Sequence, residues 1–246
     1  MKISKILCGV LAAAMAVSFA GCANNSKKKT LVMATNAEFP PYEYREGDSI
    51  VGIDVEIAQA IADDMGVELV VEDMAFDSVI AAVQSGKADI GAAGLTVSED
   101  RLENVNFSEP YTTAAQVVII KEGASVTSPD DLEGKKIGVQ LGTTGAIYAE
   151  DIENATVEQY NKGFEAVQAL LQDKVDAVII DREPAKVFVS QNEGLMILDE
   201  EFTVEDYAIA IAKNNTELLD NVNSSLAKLK SSGKLQEIID KYISAE

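Results

Sequence analysis

Residues 54–92, DVEIAQAIADDMGVELVVEDMAFDSVIAAVQSGKADIGA, decide the fold class. Asp54 is a good helix-capping residue, apolar positions recur at Val55, Ala58, Ile61 and Met65, and Gly66 supplies the left-handed stop that closes a helix. Residues 67–71 then read as a strand, Asp77 caps a second helix through Val79, Ile80 and Val83, and Gly86 ends it before a strand over 88–92. This alternation predicts an α/β protein, a mainly parallel sheet covered by helices.

The same grammar extends in both directions. Upstream, residues 31–34 form a short apolar strand that runs into a loop rich in Pro and aromatics over 36–44. Downstream, 116–120 is a strand, Ser128-Pro129 opens a helical turn, 137–140 is a strand, and Gly142-Thr143-Thr144-Gly145 leads into a helix. A helix over 164–171, a buried strand over 177–180 and a helix with Pro184 in its first turn complete a second α/β unit. Residues 207–212 read as a late strand, and 217–242 as helix broken at Gly233. Phe76-Asp77-Ser78-Val79 leading to Lys87-Ala88-Asp89 is echoed by Phe164-Glu165-Ala166-Val167 leading to Lys174-Val175-Asp176, which supports two similar lobes. No Gly/Ser-rich or Pro-rich linker divides them, so the joints are expected to be strands near 112–116 and 207–211, able to rotate without unfolding either lobe.

Composition narrows the function. The chain has 246 residues, 47% hydrophobic and 25% charged, enough for a sizeable core in one large or two small domains. A formal net charge of -21 disfavours nucleic acid and anionic lipid as partners. There is no histidine, and the only cysteines are Cys8 and Cys22. Triads, His-based metal hydrolysis and structural zinc lose their parts, so an enzyme would have to work with carboxylates, Lys, Tyr or Ser. No cofactor and no metal is expected.

Lys2 and Lys5 precede an apolar run over 6–19, long enough for a secretory leader and short for a membrane-spanning helix. The run ends in Phe19-Ala20-Gly21-Cys22, which resembles the lipobox of bacterial lipoproteins with Phe19 in place of the usual Leu. The resemblance implies a signal peptide over 1–21, lipidation of Cys22 and a polar linker over 22–29; plain secretory cleavage or an uncleaved anchor helix are the alternatives. Loss of the leader removes two lysines and no acid, giving -23, so a lipid chain would have to do the anchoring at the extracytoplasmic face of the cell membrane.

Several segments in order resemble the amino-acid-binding proteins of ABC importers, the group that includes glutamine, histidine and lysine/arginine/ornithine binding proteins. They are residues 34–43, 51–56, 94–101, 107–111, 132–139, 142–144 and 176–181, and the likeness covers nearly all of 30–244. It implies a two-lobed periplasmic-binding-protein-like fold of type II with a ligand cleft between the lobes. Chain entry and exit imply a discontinuous first lobe, 30–113 plus 208–246, and a second lobe over 114–207.

The resemblance also implies a site. A bound amino acid needs its carboxylate and ammonium matched separately, because an unpaired buried charge costs several kcal/mol. Arg101 is the candidate carboxylate partner, aided by Thr96 and the Gly94 backbone; by itself it reads as a surface residue pairing with Glu99 or Glu103. Thr143 and Thr144 stand where a strand meets a helix and would present free N–H groups to an anion, with helix capping as the plain alternative. A phosphate loop is disfavoured by the lack of a Gly-Lys-Ser/Thr ending. Asp181, at a strand end, is the candidate ammonium partner or else a helix cap. Phe39 and Phe76 match positions that flank the ligand's side chain, or are simply core. Asn36, Gln140 and Glu38 are the candidates for side-chain preference, and Glu38 alone reads as a solvated loop residue.

The expectation is a monomeric, lipid-anchored substrate-binding subunit that closes on a polar or cationic L-amino acid and delivers it to a permease and its ATPase. A sensory module and a dehydratase or lyase on the same fold are the rivals.

Overall fold

The computed structural model describes residues 30–243. The expected leader, Cys22 and the polar linker, together with 244–246, lie outside the described residues.

β1 (Thr30–Thr35) buries Leu31, Met33 and Ala34. Where the sequence suggested a loop, a small antiparallel ribbon forms instead from β2 (Glu38–Phe39), β3 (Glu43–Glu46) and β4 (Ser49–Val51). Strands this short carry too little alternation to be visible in sequence. In α1 (Ile53–Met65) the cap is Gly52, not Asp54, and the buried stripe is Ile53, Ile57, Ala58 and Ile61. Asp54 is diverted because its carboxylate already accepts the Gly94 N–H at 2.9 Å and the Tyr111 hydroxyl at 2.7 Å. Gly66 closes the helix as expected, at φ 68°.

β5 (Glu68–Asp73) follows, then a single turn of 3₁₀ helix over Phe76–Ser78 that absorbs Asp77, the expected cap, before α2 (Val79–Gln84). Next come β6 (Ile90–Gly91), α3 (Glu99–Asn104), β7 (Val105–Phe107) and the long β8 (Thr112–Lys121). The second half runs β9 (Lys136–Gln140), α4 (Thr144–Glu150), β10 (Thr156–Tyr160), α5 (Gly163–Leu171), β11 (Ala177–Asp181) and α6 (Arg182–Ser190). It ends with β12 (Leu195–Ile197), β13 (Thr203–Tyr207), β14 (Ala210–Ala212), α7 (Thr216–Ser231) and α8 (Lys234–Tyr242).

Besides the β2-β3-β4 ribbon, two larger sheets form among the described residues, one per lobe. The first has the order β5-β1-β6-β14-β7, the second β10-β9-β11-β8-β12 with β13 also on β8. In each, three parallel strands meet a strand of opposite direction, β14 in the first and β8 in the second. The internal echo falls at equivalent places in the two sheets. Asp89 accepts the Val32 N–H at 2.7 Å and donates its own to Val32 O at 2.8 Å. Asp176 does the same with Lys136, at 2.8 and 2.7 Å.

The expected strand over 207–212 is in fact two. β13 belongs to the second sheet and β14 to the first, and Ala208 and Ile209 carry the chain between them. The other crossing lies at 108–111, outside any strand, and not at the expected 112–116, which fall within β8 of the second sheet; it runs alongside the first: Ser108 N–H donates to Ile209 O at 2.9 Å, Ile209 N–H to Ser108 Oγ at 3.0 Å, and Tyr111 N–H to Tyr207 O at 2.9 Å. The C-terminal helices pack back on α1, where Lys228 pairs with Asp64 and the Tyr242 hydroxyl donates to Glu56.

Gly52 lies at φ 132°, and a Cβ there would fall 2.2 Å from Tyr42 O. Gly47, at φ 61°, has open space around it. Gly52→Ala is expected to lose at least about 2 kcal/mol, because backbone must move, and Gly47→Ala only about 1 kcal/mol of left-handed strain. Urea unfolding midpoints of the two variants check this; equal losses would mean that the Gly52 contact is relieved cheaply.

Candidate ligand-binding site

The sheets present their strand ends to a shared cleft, and the loops there hold the predicted residues. Arg101 lies on α3, which Ser98 caps by accepting the Arg101 N–H at 3.4 Å. Its guanidinium turns inward: Nη1 donates to Thr96 O at 2.9 Å, Nη2 to Gly142 O of the second lobe at 3.1 Å, and the group lies over the Phe76 ring, 5.4 Å from the centroid. Its partners are thus carbonyls and a ring, not Glu99 or Glu103, and further N–H donors remain for a ligand. Burial lowers its pKa, opposed by the nearby Glu205 and Asp181, and an arginine so placed stays charged.

Asp181 comes from the second lobe, at the end of β11. It occupies the capping position of α6, but its carboxylate makes no capping hydrogen bond; it accepts the Tyr207 hydroxyl instead. Burial raises its pKa from 3.8 to about 7, with repulsion from Glu205 adding to the shift and the Tyr207 bond opposing it.

Thr143 does cap α4: its hydroxyl accepts the Ala146 N–H at 3.2 Å and donates to Gln140 O at 2.8 Å. The Thr144 hydroxyl donates to Glu205 at 3.0 Å, and Thr96 reaches the same carboxylate from the first lobe at 2.9 Å. Gly94 packs so closely that a Cβ would sit 3.1 Å from the Phe39 ring and 3.2 Å from Tyr207, at φ 54°. Phe39 and Phe76 are both buried. Asn36 donates to Met74 O at 2.9 Å and accepts from Gln140 Nε2 at 3.0 Å, a further link between the lobes.

Asn36, Phe39, Phe76, Gly94, Thr96, Arg101, Gln140, Thr143, Thr144 and Asp181 line one pocket in which only about 10 Å³ is left free, so the lobes lie nearly shut on it. Glu38 stands outside it. It forms a 2.6 Å ion pair with Lys162 across the lobes, beside a larger and more open groove at the rim. That groove holds no buried charge cluster, so the smaller pocket, on which Arg101 and Asp181 converge, is the stronger candidate.

Sequence reasoning missed Glu205, Tyr207 and Lys162. The signal for the first two lay in period-2 alternation, since Glu205 and Tyr207 point to the buried face of β13. An acid on a buried strand face needs partners and is therefore informative. A further pair of acids lies beneath the site. Glu43 is fully buried, and burial with the adjacent Asp54 drives its pKa well up; burial raises Asp54 from 3.8 to about 6 against the pull of its hydrogen bonds.

Two α/β lobes joined by paired crossings, with a basic and an acidic side chain facing one pocket, make a two-lobed binding-protein architecture. Residues 31–245 match the model of the bacterial extracellular solute-binding proteins, family 3, and the chain belongs to that family. It is 35% identical over 229 residues to the arginine-binding extracellular protein ArtP of Bacillus subtilis (strain 168), covering 91% of this chain and 89% of that protein. It is 30% identical over 253 residues to the L-cystine-binding protein TcyJ of Escherichia coli (strain K12), covering 98% and 95%. Among solved structures it superposes, with a TM-score of 0.82 and 39% identity, on the amino acid ABC transporter substrate-binding protein AbpA from Streptococcus pneumoniae bound to L-arginine, covering 87% of this chain and 94% of that one.

The raised Asp181 pKa has a defined consequence. Folded protein holds this proton up to about pH 7 while the unfolded chain releases it near 3.8, so its contribution is fully present below about pH 4 and is lost as pH rises to 7. Ligand-free protein should lose stability across that window, and Asp181→Asn should remove up to about 4 kcal/mol of the change. Urea unfolding at intervals between these pH values tests it; a wild-type slope retained in full by the variant would show that Asp181 ionises normally.

Proposed function

We propose that this chain is the lipid-anchored, extracytoplasmic substrate-binding subunit of an ABC importer, and that it takes a cationic L-amino acid of the arginine type between its lobes. One observation carries the reading: Arg101 of the first lobe and Asp181 of the second face the same pocket, with Phe39 and Phe76 beside them. In this reading Arg101 grips the ligand carboxylate with its remaining donors, and Asp181, ionised, receives the ammonium. The aromatic rings take the aliphatic part of the side chain, and Asn36 and Gln140 take its polar end.

The net charge of the pocket favours a cation. Arg101 offsets one of the two buried carboxylates, Asp181 and Glu205, so a ligand with an extra positive charge leaves the fewest charges unmatched. Arginine appears in the names of ArtP and of the AbpA complex, which supports the same choice. The two lobes, with β8 to β13 in the second and the remaining elements in the first, would close as rigid bodies about the paired crossings, binding energy driving closure and the closed monomer docking on its permease and ATPase. The ligand is bound and released unchanged.

Titration calorimetry of the purified full-length chain against L-arginine, L-histidine, L-cystine and L-glutamine should show one-to-one binding with arginine tightest; heat from none of them would sink the reading. Arg101→Ala should weaken arginine by about 100-fold, in line with truncating one member of a buried charge pair. Cys22→Ser should move the protein from the membrane to the soluble fraction, and an unchanged membrane fraction would refute lipidation at that residue.

A further inference from the structure

Glu205 is buried on β13, the strand that leads directly into the lobe crossing, and no family motif in the sequence pointed to it. Its carboxylate is richly supplied with donors. Oε2 accepts from Thr96 Oγ1 at 2.9 Å, Thr144 Oγ1 at 3.0 Å and Gln116 Nε2 at 3.1 Å, and Oε1 accepts from the Tyr148 hydroxyl at 2.8 Å. The arrangement leaves Gln116 Oε1 buried without a partner, a cost that follows from turning the amide nitrogen toward Glu205.

The proton inventory is what matters. A threonine hydroxyl has one proton and two lone pairs, and an ionised carboxylate can only accept. Thr96 and Thr144 both line the ligand pocket, yet both spend their proton on Glu205. Thr144 also accepts from Gln116 Nε2 at 3.4 Å, so one of its lone pairs is taken, and what each threonine hydroxyl can still offer the pocket is a lone pair and no proton. The two threonines come from different lobes, so the same oxygen atom that fixes their polarity also joins the lobes.

We propose that Glu205 is a positioning residue of the ligand site: by collecting the hydroxyl protons of Thr96 and Thr144 it sets both oxygens as acceptors for a ligand ammonium and ties the two lobes together around it. This rests on the reading of the pocket as an amino-acid site. A glutamine at this position keeps the bulk but brings an amide donor, which can satisfy a threonine oxygen and release its proton toward the pocket, where it opposes an N–H of the ligand.

The test compares three ligands on full-length wild-type protein, Glu205→Gln, Thr144→Val and the double variant, each checked for folding by thermal melting. L-arginine and L-argininamide carry the ammonium; the desamino analogue, 5-guanidinopentanoate, does not. Glu205→Gln should weaken the first two about tenfold more than the third, which senses only the lost negative charge, and Thr144→Val should cost much less in the Glu205→Gln background than in wild type, as expected for contacting residues. Equal loss on all three ligands would mean a merely structural role and overturn the proposal, as would unchanged arginine affinity or strict additivity. Should Glu205→Gln fail to fold, the ligand pattern of Thr144→Val decides alone: loss confined to ammonium ligands supports the proposal and uniform loss overturns it. Wild-type protein that binds no amino acid removes the functional reading and this proposal together, whereas arginine binding indifferent to Glu205→Gln removes only the latter.

Discussion

Ionisable groups held between two lobes must be matched, because burying any one of them as an unpaired charge costs several kcal/mol. Arg101, Asp181 and Glu205 share this constraint, and the architecture around them follows from it. Each is supplied by a different part of the chain: a loop-borne helix of the first lobe, a strand end of the second, and the strand of the second that leads into the crossing. Hydroxyls and carbonyls from both lobes satisfy what the charges do not, through Tyr207 on Asp181, Thr96 and Gly142 on Arg101, and four donors on Glu205.

The paired crossings make this possible. Ser108 with Ile209 and Tyr111 with Tyr207 hold the two connections side by side, so the register of one lobe against the other is fixed by hydrogen bonds along the backbone. Tyr207 then serves two purposes. Its backbone sits in the crossing, and its ring packs edge-on against Tyr42, 5.0 Å between centroids, while its hydroxyl reaches Asp181. Asp54 does similar service from below, since the carboxylate that fails to cap α1 instead grips the Gly94 loop and the Tyr111 hydroxyl.

That last exchange shows what a sequence can and cannot reveal. The alternation of strands and helices, the Gly66 stop and the break at Gly233 were legible because periodicity and backbone conformation are local properties. Asp54 was misjudged because capping propensity is also local, whereas the demand for its carboxylate came from Gly94, forty residues along the chain. The strand over 207–212 was read as one piece for a related reason: apolar residues on both sides of Ala208 hide a change of sheet. The residues around the pocket were legible through resemblance, motif by motif. Glu205 lay in no quoted motif and stands among Asp199, Glu200, Glu201 and Asp206, from which only its buried strand face separates it.

The division of labour within the pocket bears on ligand choice. The groups assigned to the ligand's charged ends are held by backbone carbonyls, a helix start and the crossing strand, so altering them would disturb the fold. Asn36, Gln140, Glu38 and Lys162 instead meet across the lobes through side-chain amides and an ion pair, none of them holding Arg101 or Asp181 in place. Relatives whose names specify arginine or L-cystine are compatible with this frame if preference is written mainly at that end. On the proposed reading, the acid excess contributed by Glu205 biases the whole pocket toward cations, while the amide pair decides which cation fits.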